Sequence, residues 1–355
     1  MTETETDQQP TTPHNGRSRG LWWWTKRILI GLAGLVVFLV LAGLVYQLVA
    51  TKIDEYRYPA PGEMVGVGGY SLHLYCTGEE GGAAPTVVMD SGLGGSVLDW
   101  QLVQPEVAGF TRVCTYDRGG AGWSEPGAQP RTSQQFVEEL HALLGNAGVQ
   151  GPYVLVGHSL GGTNMQLYAS QYPDEVAGMV LVDSALEDLD LLSTTESLQG
   201  SPVWIKIYAT IGVVRLANML GPVSYPFSEL PPDSVAEALA ISSSTRQLYE
   251  SADETSSIGE SFEEQLAAPM LLGDKPLIVL TAGPLQLEGM GLSQEQMDQL
   301  DEAHTRSQAA LTQGSQNSEQ IIAEDSGHYI HLEQPDLVID AIRQVVDAAR
   351  NSSSI

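Results

Sequence analysis

One stretch, PYVLVGHSLGGTNMQLYAS at residues 152–170, constrains the fold more than any other part of the chain. It opens with a short β-branched run, as a strand buried on both faces does, and ends in a helix-forming segment. Between them, GHSLG matches G-x-S-x-G, a pattern that puts the serine on a sharp strand-to-helix turn whose glycines leave room for neighbouring backbone. The stretch therefore predicts a strained turn that presents Ser159 at a helix N-terminus, where negative charge is favoured. The alternative is an ordinary tight turn with a surface serine.

Buried apolar strands alternate with helical segments over the rest of the chain, and a terminal helix begins at Pro335. This alternation predicts an α/β fold with a mostly parallel, eight-stranded sheet flanked by helices. Sites in such sheets lie beyond the carboxyl ends of the strands. The predicted strands lie within residues 64–69, 70–78, 85–92, 111–120, 153–156, 178–185, 276–283 and 318–328.

Residues 28–50 carry no charge and would form a helix of roughly 35 Å, enough to cross a bilayer. Leu48-Val49-Ala50 is a poor match to a signal-peptide cleavage site, so an uncleaved transmembrane helix is favoured over a cleaved leader. More basic residues precede this segment than follow it, which predicts a single-pass cell-membrane protein with a cytoplasmic N-terminus and an extracytoplasmic bulk. Residues 1–27 are then a disordered cytoplasmic tail, and residues 51–63 a linker.

The remaining chain divides into a core at 64–183 and 276–350 and a cap at 184–275. About ninety residues separate two strands at the cap, where one helix would suffice, so this insertion is predicted to be helical and to cover the site. Its apolar run 204–221 has three interpretations: the lining of an acyl-sized pocket, the cap's own core, or a surface that touches the membrane.

A serine hydroxyl attacks a carbonyl only with a base within hydrogen-bond reach and a third group that holds the base. His328 follows the final strand and is the predicted base, whereas His331 begins the next helix and is predicted to be structural. Asp183 ends the strand after the Ser159 unit and is favoured as the acid, although it could instead cap a helix. Glu288, after the next strand, is the alternative acid.

A developing oxyanion needs two fixed N–H donors. The first predicted donor is the N–H of Leu160, directly after the serine. The second is the N–H of Leu93, in the glycine-rich segment DSGLGG at residues 90–95. A structural turn would explain those glycines equally well, so this second assignment depends on the role of Ser159.

Four motifs in one order, DSGLGG, YDRGGAGWS, GHSLGG and SGHYIHLEQP, resemble those of the α/β-hydrolase superfamily over roughly residues 64–350. The resemblance is to its serine-nucleophile branch, which includes esterases, proline iminopeptidases and cofactor-free haloperoxidases, and it implies the α/β-hydrolase fold and a Ser–Asp–His triad. The loop 117–124 is then mainly structural. Two departures stand out: Ser91 replaces a frequent histidine, and the usual aspartate after the penultimate strand is missing. A serine at 159 argues against epoxide-hydrolase and haloalkane-dehalogenase chemistry.

The predicted enzyme is thus a serine hydrolase that cleaves a small-molecule carboxylic ester, thioester or amide through an acyl-enzyme, without cofactor or metal. A silent hydrolase-like scaffold and an acyltransferase are the alternatives. The net charge of −28, from 44 acidic and 16 basic residues, argues against nucleic-acid binding. The resemblance implies that the strands of Cys76 and Cys114 are neighbours, which leaves a disulfide or two buried thiols open.

Overall fold

The predicted eight-stranded sheet is confirmed in a computed structural model that describes residues 19–79, 84–184, 202–221, 230–283 and 293–355. The strand order is β1-β2-β4-β3-β5-β6-β7-β8. The first two strands form an antiparallel hairpin on one edge, and the other six run parallel to one another. The strands are β1 (Glu63–Gly66), β2 (Ser71–Thr77), β3 (Thr86–Asp90), β4 (Val113–Tyr116), β5 (Tyr153–His158), β6 (Val176–Val182), β7 (Leu277–Ala282) and β8 (Ser318–Ala323).

Helices cover both faces of this sheet. Because successive side chains of a strand point to opposite faces, Val87 and Val154 pack in one core and Val88 and Leu155 in the other. The described helices are α1 (Arg19–Arg57), α2 (Gln104–Val107), α3 (Ser133–Asn146), α4 (Leu160–Gln171), α5 (Pro202–Thr210), α6 (Val213–Leu220), α7 (Pro232–Ser242), α8 (Thr245–Ala267), α9 (Gln294–Leu311), α10 (Ile330–Glu333) and α11 (Pro335–Asn351).

The N-terminal helix α1 is longer than the sequence predicts. It begins at Arg19, inside the predicted tail, and continues to Arg57, inside the predicted linker. Both boundaries need this correction because charged residues end an apolar segment without ending a helix, and the first proline after the apolar segment is Pro59. By length and composition, α1 is able to cross a membrane.

The described part of the insertion at 184–275 is helical, as predicted, and consists of α5 to α8. The long helix α8 lies over the sheet and contacts α3, α4 and α5. The apolar run 204–221 forms α5 and α6, which meet at an angle of 79°. Many of its large apolar side chains are exposed, so these do not form a cap core.

The two cysteines form a disulfide between β2 and β4. Cys76 and Cys114 lie directly opposite each other in this antiparallel pair, with their Cα atoms 4.0 Å apart. The structure therefore has a disulfide where the sequence left two thiols as an equal possibility.

Candidate active site

The strand order reverses direction beside β3, since β4 lies on one side of it and β5 on the other. Ligands of open α/β sheets bind in the crevice beyond the carboxyl ends of the strands at such a point. Here that crevice is bordered by the glycine-rich segment after β3 and by Ser159 after β5. The topology thus singles out the same place as the sequence motif.

Ser159 occupies the sharp turn that its motif predicts. It lies between β5 and α4 with φ 52° and ψ −123°, a conformation that side-chain-bearing residues rarely adopt. A Cβ at Gly161 would lie 2.4 Å from the carbonyl oxygen of Asp90, so only glycine allows the turn to pack this closely against β3. The N–H of Ser159 donates to the carbonyl oxygen of Val182 at 3.2 Å, which fixes the turn to β6.

Asp183 follows β6 and is almost completely buried, with φ 43°. Its Oδ2 accepts a hydrogen bond from His328 Nδ1 at 2.6 Å, and its Oδ1 accepts from His304 Nε2 and from the N–H of Ala282, both at 2.9 Å. Burial alone would raise the pKa of this carboxyl group, but the bonds from His304 and His328 outweigh it and hold the pKa well below its usual range. Asp183 is therefore a charged acceptor with three donors.

His328 lies in the loop that follows β8. Glu333 fixes the conformation of this loop. The Oε2 of Glu333 accepts from the N–H of Gly327 at 2.6 Å and from Ser326 Oγ at 3.0 Å. With Nδ1–H bonded to Asp183, the Nε2 of His328 carries the free lone pair of the ring. The side chain is 41 % exposed, so that nitrogen can meet a substrate.

His158 and His331 pack beside His328 without sharing its chemistry. The Nε2 of His158 donates to the carbonyl oxygen of His328 at 2.9 Å, and the two rings are 4.6 Å apart. Because His158 directly precedes Ser159, this bond ties the His328 loop to the serine turn. Burial, together with the charge of His328, lowers the pKa of His331 to about 3, and burial also lowers that of His158, so both rings are neutral.

His304 is the site residue that the sequence reading missed. It lies on α9, a polar helix, and its ring is mostly buried against Asp183. One turn later on the same helix, the buried Gln308 donates through Nε2 to the carbonyl oxygen of Ser184 at 2.7 Å. Burial alone would lower the pKa of His304, but the bond and charge of Asp183, helped by the charge of Asp301, raise it. Through His304 and Gln308, α9 therefore holds two successive residues, Asp183 and Ser184.

The glycine-rich segment after β3 is fixed by Arg118, which is buried. Its Nη1 donates to the carbonyl oxygen of Ser91 at 2.7 Å and its Nη2 to that of Gly92 at 2.6 Å. The cap contributes Glu254, whose Oε1 accepts from Arg118 Nε at 2.6 Å and whose Oε2 accepts from the N–H of Gly94 at 2.7 Å. This segment is thus held between the core and α8 by charge-assisted hydrogen bonds.

The two predicted oxyanion donors are adjacent to Ser159. A Cβ at Gly92 would lie 3.3 Å from the Cβ of Ser159, so the glycine-rich segment passes directly beside the serine. The carbonyl of Gly92 faces Arg118, and in a trans peptide the following N–H points the opposite way, which directs the N–H of Leu93 away from that side chain. In the ranges that the structure describes, neither this N–H nor that of Leu160 donates a hydrogen bond.

The structure thus brings Asp183 and His328 into contact and bonds the His328 loop to His158, the residue before Ser159. Among the hydrogen bonds of the described residues, none joins Ser159 Oγ to His328. The alternative acid, Glu288, lies outside the described residues. The loop 117–124 has the structural contacts that the resemblance implies, since Asp117 accepts from the N–H groups of Val97 and Trp123 and from His73.

Comparisons with known proteins agree with this fold. Residues 85–209 match the model of the alpha/beta hydrolase fold, a range that includes the glycine-rich segment, Ser159 and Asp183. The chain has the α/β-hydrolase fold. The comparisons confirm the expected enzyme class, an α/β hydrolase.

Individual known proteins resemble different portions of the chain. The uncharacterised protein YqjL of Bacillus subtilis is 27 % identical over 270 residues, which are 76 % of this chain and 87 % of that protein. The human (lyso)-N-acylphosphatidylethanolamine lipase is 31 % identical over 147 residues, which are 38 % of this chain and 42 % of the lipase. The crystal structure of the enol-lactonase from Burkholderia xenovorans LB400 matches with a TM-score of 0.59 and 18 % identity, covering 80 % of this chain and all of that one, which is a likeness of fold.

Proposed function

We propose that this α/β hydrolase is a serine hydrolase that cleaves a carboxylic ester, thioester or amide through an acyl-enzyme. The observation that carries the proposal is the 2.6 Å bond from His328 Nδ1 to the buried Asp183, beside a serine turn with φ 52°. That bond leaves the other ring nitrogen free to accept a proton. The strained turn exposes the hydroxyl that would lose it.

The proposed reaction proceeds in two halves. Ser159 Oγ attacks the carbonyl carbon while His328 Nε2 takes its proton, and the carbonyl π electrons move to oxygen. Collapse of this intermediate expels the alcohol, thiol or amine, which receives the proton from His328. Water then attacks the acyl group on Ser159 by the same route, which releases the acid and restores the enzyme.

Electrostatics supports each residue's role. Asp183 stays charged and fixes the tautomer and orientation of His328, and its charge stabilises the imidazolium. His304 acts on the same carboxylate from the other side, which makes it a positioning residue. The N–H groups of Leu93 and Leu160 bind the oxyanion; a donor of this kind contributes on the order of a hundredfold or more to kcat.

The same proposal places the catalytic domain outside the cell, attached by α1. The uncharged segment 28–50 is long enough to cross a bilayer, and the excess of basic residues on its N-terminal side favours a cytoplasmic N-terminus. The disulfide between Cys76 and Cys114 supports an oxidising compartment, where such bonds persist.

Labelling of the full-length protein with a fluorophosphonate probe tests the chemistry. A serine hydrolase is labelled at Ser159, and both Ser159→Ala and His328→Ala lose the label and the hydrolysis of p-nitrophenyl esters. Ser170→Ala is the matched control, since it removes a hydroxyl from the far end of the same helix, and it should react like the wild type. Equal labelling of Ser159→Ala and the wild type would defeat the proposal, and no labelling of any folded variant would favour a silent scaffold.

A further inference from the structure

The cap packs directly against the apolar part of α1. A Cβ at Gly43 would lie 2.3 Å from the carbonyl oxygen of Ile211, so α1 and the turn between α5 and α6 are in close contact. One turn further along α1, the buried Gln47 donates through Nε2 to the carbonyl oxygen of Ser243 at 2.9 Å and accepts from Arg215 Nε at 3.1 Å. These contacts lie inside the segment 28–50, before its end at residue 50.

The side of α5 and α6 that points away from the protein is apolar. We call it the cap face; four of its side chains, Trp204, Leu216, Met219 and Leu220, are 56 %, 54 %, 70 % and 86 % exposed. On both helices the exposed positions recur at helical spacing, so they form one side of each helix. The remaining members of the cap face are Val203, Ile207, Tyr208 and Val213.

The charged residues of the two helices are turned towards acidic partners within the protein. Lys206 forms an ion pair with Asp253 of α8, and Arg215 forms one with Asp54 of α1. The cap face is therefore left with neither a charge nor an ion pair among its described side chains. A contiguous apolar surface formed by eight exposed side chains marks a site that contacts a membrane or a protein partner.

The depth in the membrane of the contact between α1 and the cap decides whether lipid or a protein partner covers the cap face. If α1 spans the bilayer as proposed above, Ala50 lies near the outer end of the apolar segment. Gly43 is seven residues earlier, which places its contact with Ile211 about 10 Å inside that end. Helices that lie in a membrane interface are buried by about 5–10 Å. The turn between α5 and α6 thus sits at the depth that a lipid-embedded cap requires.

From this continuity we infer that the cap face is embedded in the outer lipid leaflet beside α1, and that its occupant is lipid. The inference rests on the proposed membrane span of α1. The helix α7 connects this surface to the candidate active site. The carbonyl of Ser243, directly after its last residue, accepts from Gln47, and Ala238 packs with Leu332, four residues after His328. The geometry therefore brings the site to the leaflet in which acyl esters of lipids reside.

Lipid quenching of a single fluorophore tests the inference on the full-length protein. The chain has two cysteines and both are in the disulfide, so one introduced cysteine can be labelled specifically. Leu220→Cys labelled with NBD and reconstituted in phosphatidylcholine vesicles should lose most of its fluorescence when shallow doxyl-phosphatidylcholine is included. The matched control is Ile322→Cys, which labels an exposed apolar position on the edge strand β8 and should be unaffected.

A third label, at Val37→Cys in α1, separates this inference from the proposed span. Quenching at 37 but not at 220 would overturn the cap face while leaving the anchor intact. Position 37 lies near the bilayer centre if α1 spans it, so deep doxyl-phosphatidylcholine should quench that label. Quenching at 220 without this quenching at 37 would reject the span and, with it, the inferred depth of the cap face. A label at 220 that is shielded from water but unaffected by doxyl lipid would show that a protein covers the surface, and this would also overturn the inference.

Discussion

Removing the side chain of His304 should impair the candidate site without touching the reacting atoms. His304→Leu deletes one of the two donors to Asp183 Oδ1 and leaves the bond between Asp183 and His328 in place. A hydrogen bond to a charged, buried group is worth about 1.5–3 kcal/mol. If that energy is expressed in the transition state, kcat/KM falls about ten- to a hundredfold, since about 1.4 kcal/mol corresponds to a factor of ten.

Charge and hydrogen bonding at position 304 have separable effects. Protonated His304 offsets the charge of Asp183, so its removal leaves the carboxylate free to stabilise the His328 imidazolium. The acid limb of the kcat/KM profile should then move to higher pH. His304→Gln retains an N–H donor but not the charge, so it should shift the limb as His304→Leu does while recovering part of the lost rate.

Stability should respond to pH in a defined direction. The pKa of His304 is raised in the folded state, so its interaction with Asp183 is fully stabilising below the unfolded value of about 6.5 and is lost as the pH rises through the folded pKa. The difference in unfolding free energy between the wild type and His304→Leu should therefore be larger at pH 6 than at pH 9, in urea titrations.

Arg306→Gln provides the control, because it removes a positive charge from an exposed position of the same helix, where Arg306 pairs with Glu302. It should leave both the rate and the pH profile unchanged. A folded His304→Leu enzyme whose rate and acid limb match those of Arg306→Gln would refute the positioning role.

Three further results are expected. Replacing Cys76 and Cys114 by alanine opens a loop with a sequence separation of 38 and should lower the unfolding free energy by about 4 kcal/mol in denaturant titrations; an unchanged midpoint would contradict this. Arg118→Met leaves two buried carboxylates without their partner and should destabilise the protein by about 3–5 kcal/mol, measured in the same way. Leu216→Lys combined with Leu220→Lys should slow hydrolysis of a vesicle-embedded ester but not of a water-soluble one; equal effects on both substrates would argue against lipid contact.

Sequence patterns predicted the parts of this molecule that local chemistry determines. The serine turn was predictable because its glycines and its flanking strand and helix are contiguous, and the central strands because buried strands are mostly apolar. The disulfide could not be decided, since pairing depends on register: Cys76 faces Cys114 only because β2 and β4 align there. The end of α1 was misplaced because hydropathy marks where a membrane ends, whereas helix breakers mark where a helix ends.

The parts that remained unpredicted are long-range polar contacts. His304 reaches Asp183 across 121 positions, and Arg118 reaches Glu254 across 136. A single histidine on a polar helix has no periodic signal, and a buried glutamate on α8 is indistinguishable in sequence from an exposed one. Such contacts are set by how the cap and α9 dock on the sheet, which no local pattern encodes.

The acidity of the chain bears on how the cap meets a membrane. With a net charge of −28, the protein is repelled by anionic headgroups, so electrostatic attraction cannot hold the cap against them. Contact with lipid then has to come from apolar burial, whose strength depends little on salt. The cap face suits this requirement because the charges of Lys206 and Arg215 are paired with acids inside the protein. Raising the salt concentration should therefore leave doxyl quenching at position 220 unchanged or stronger, whereas a headgroup-bound surface would be released.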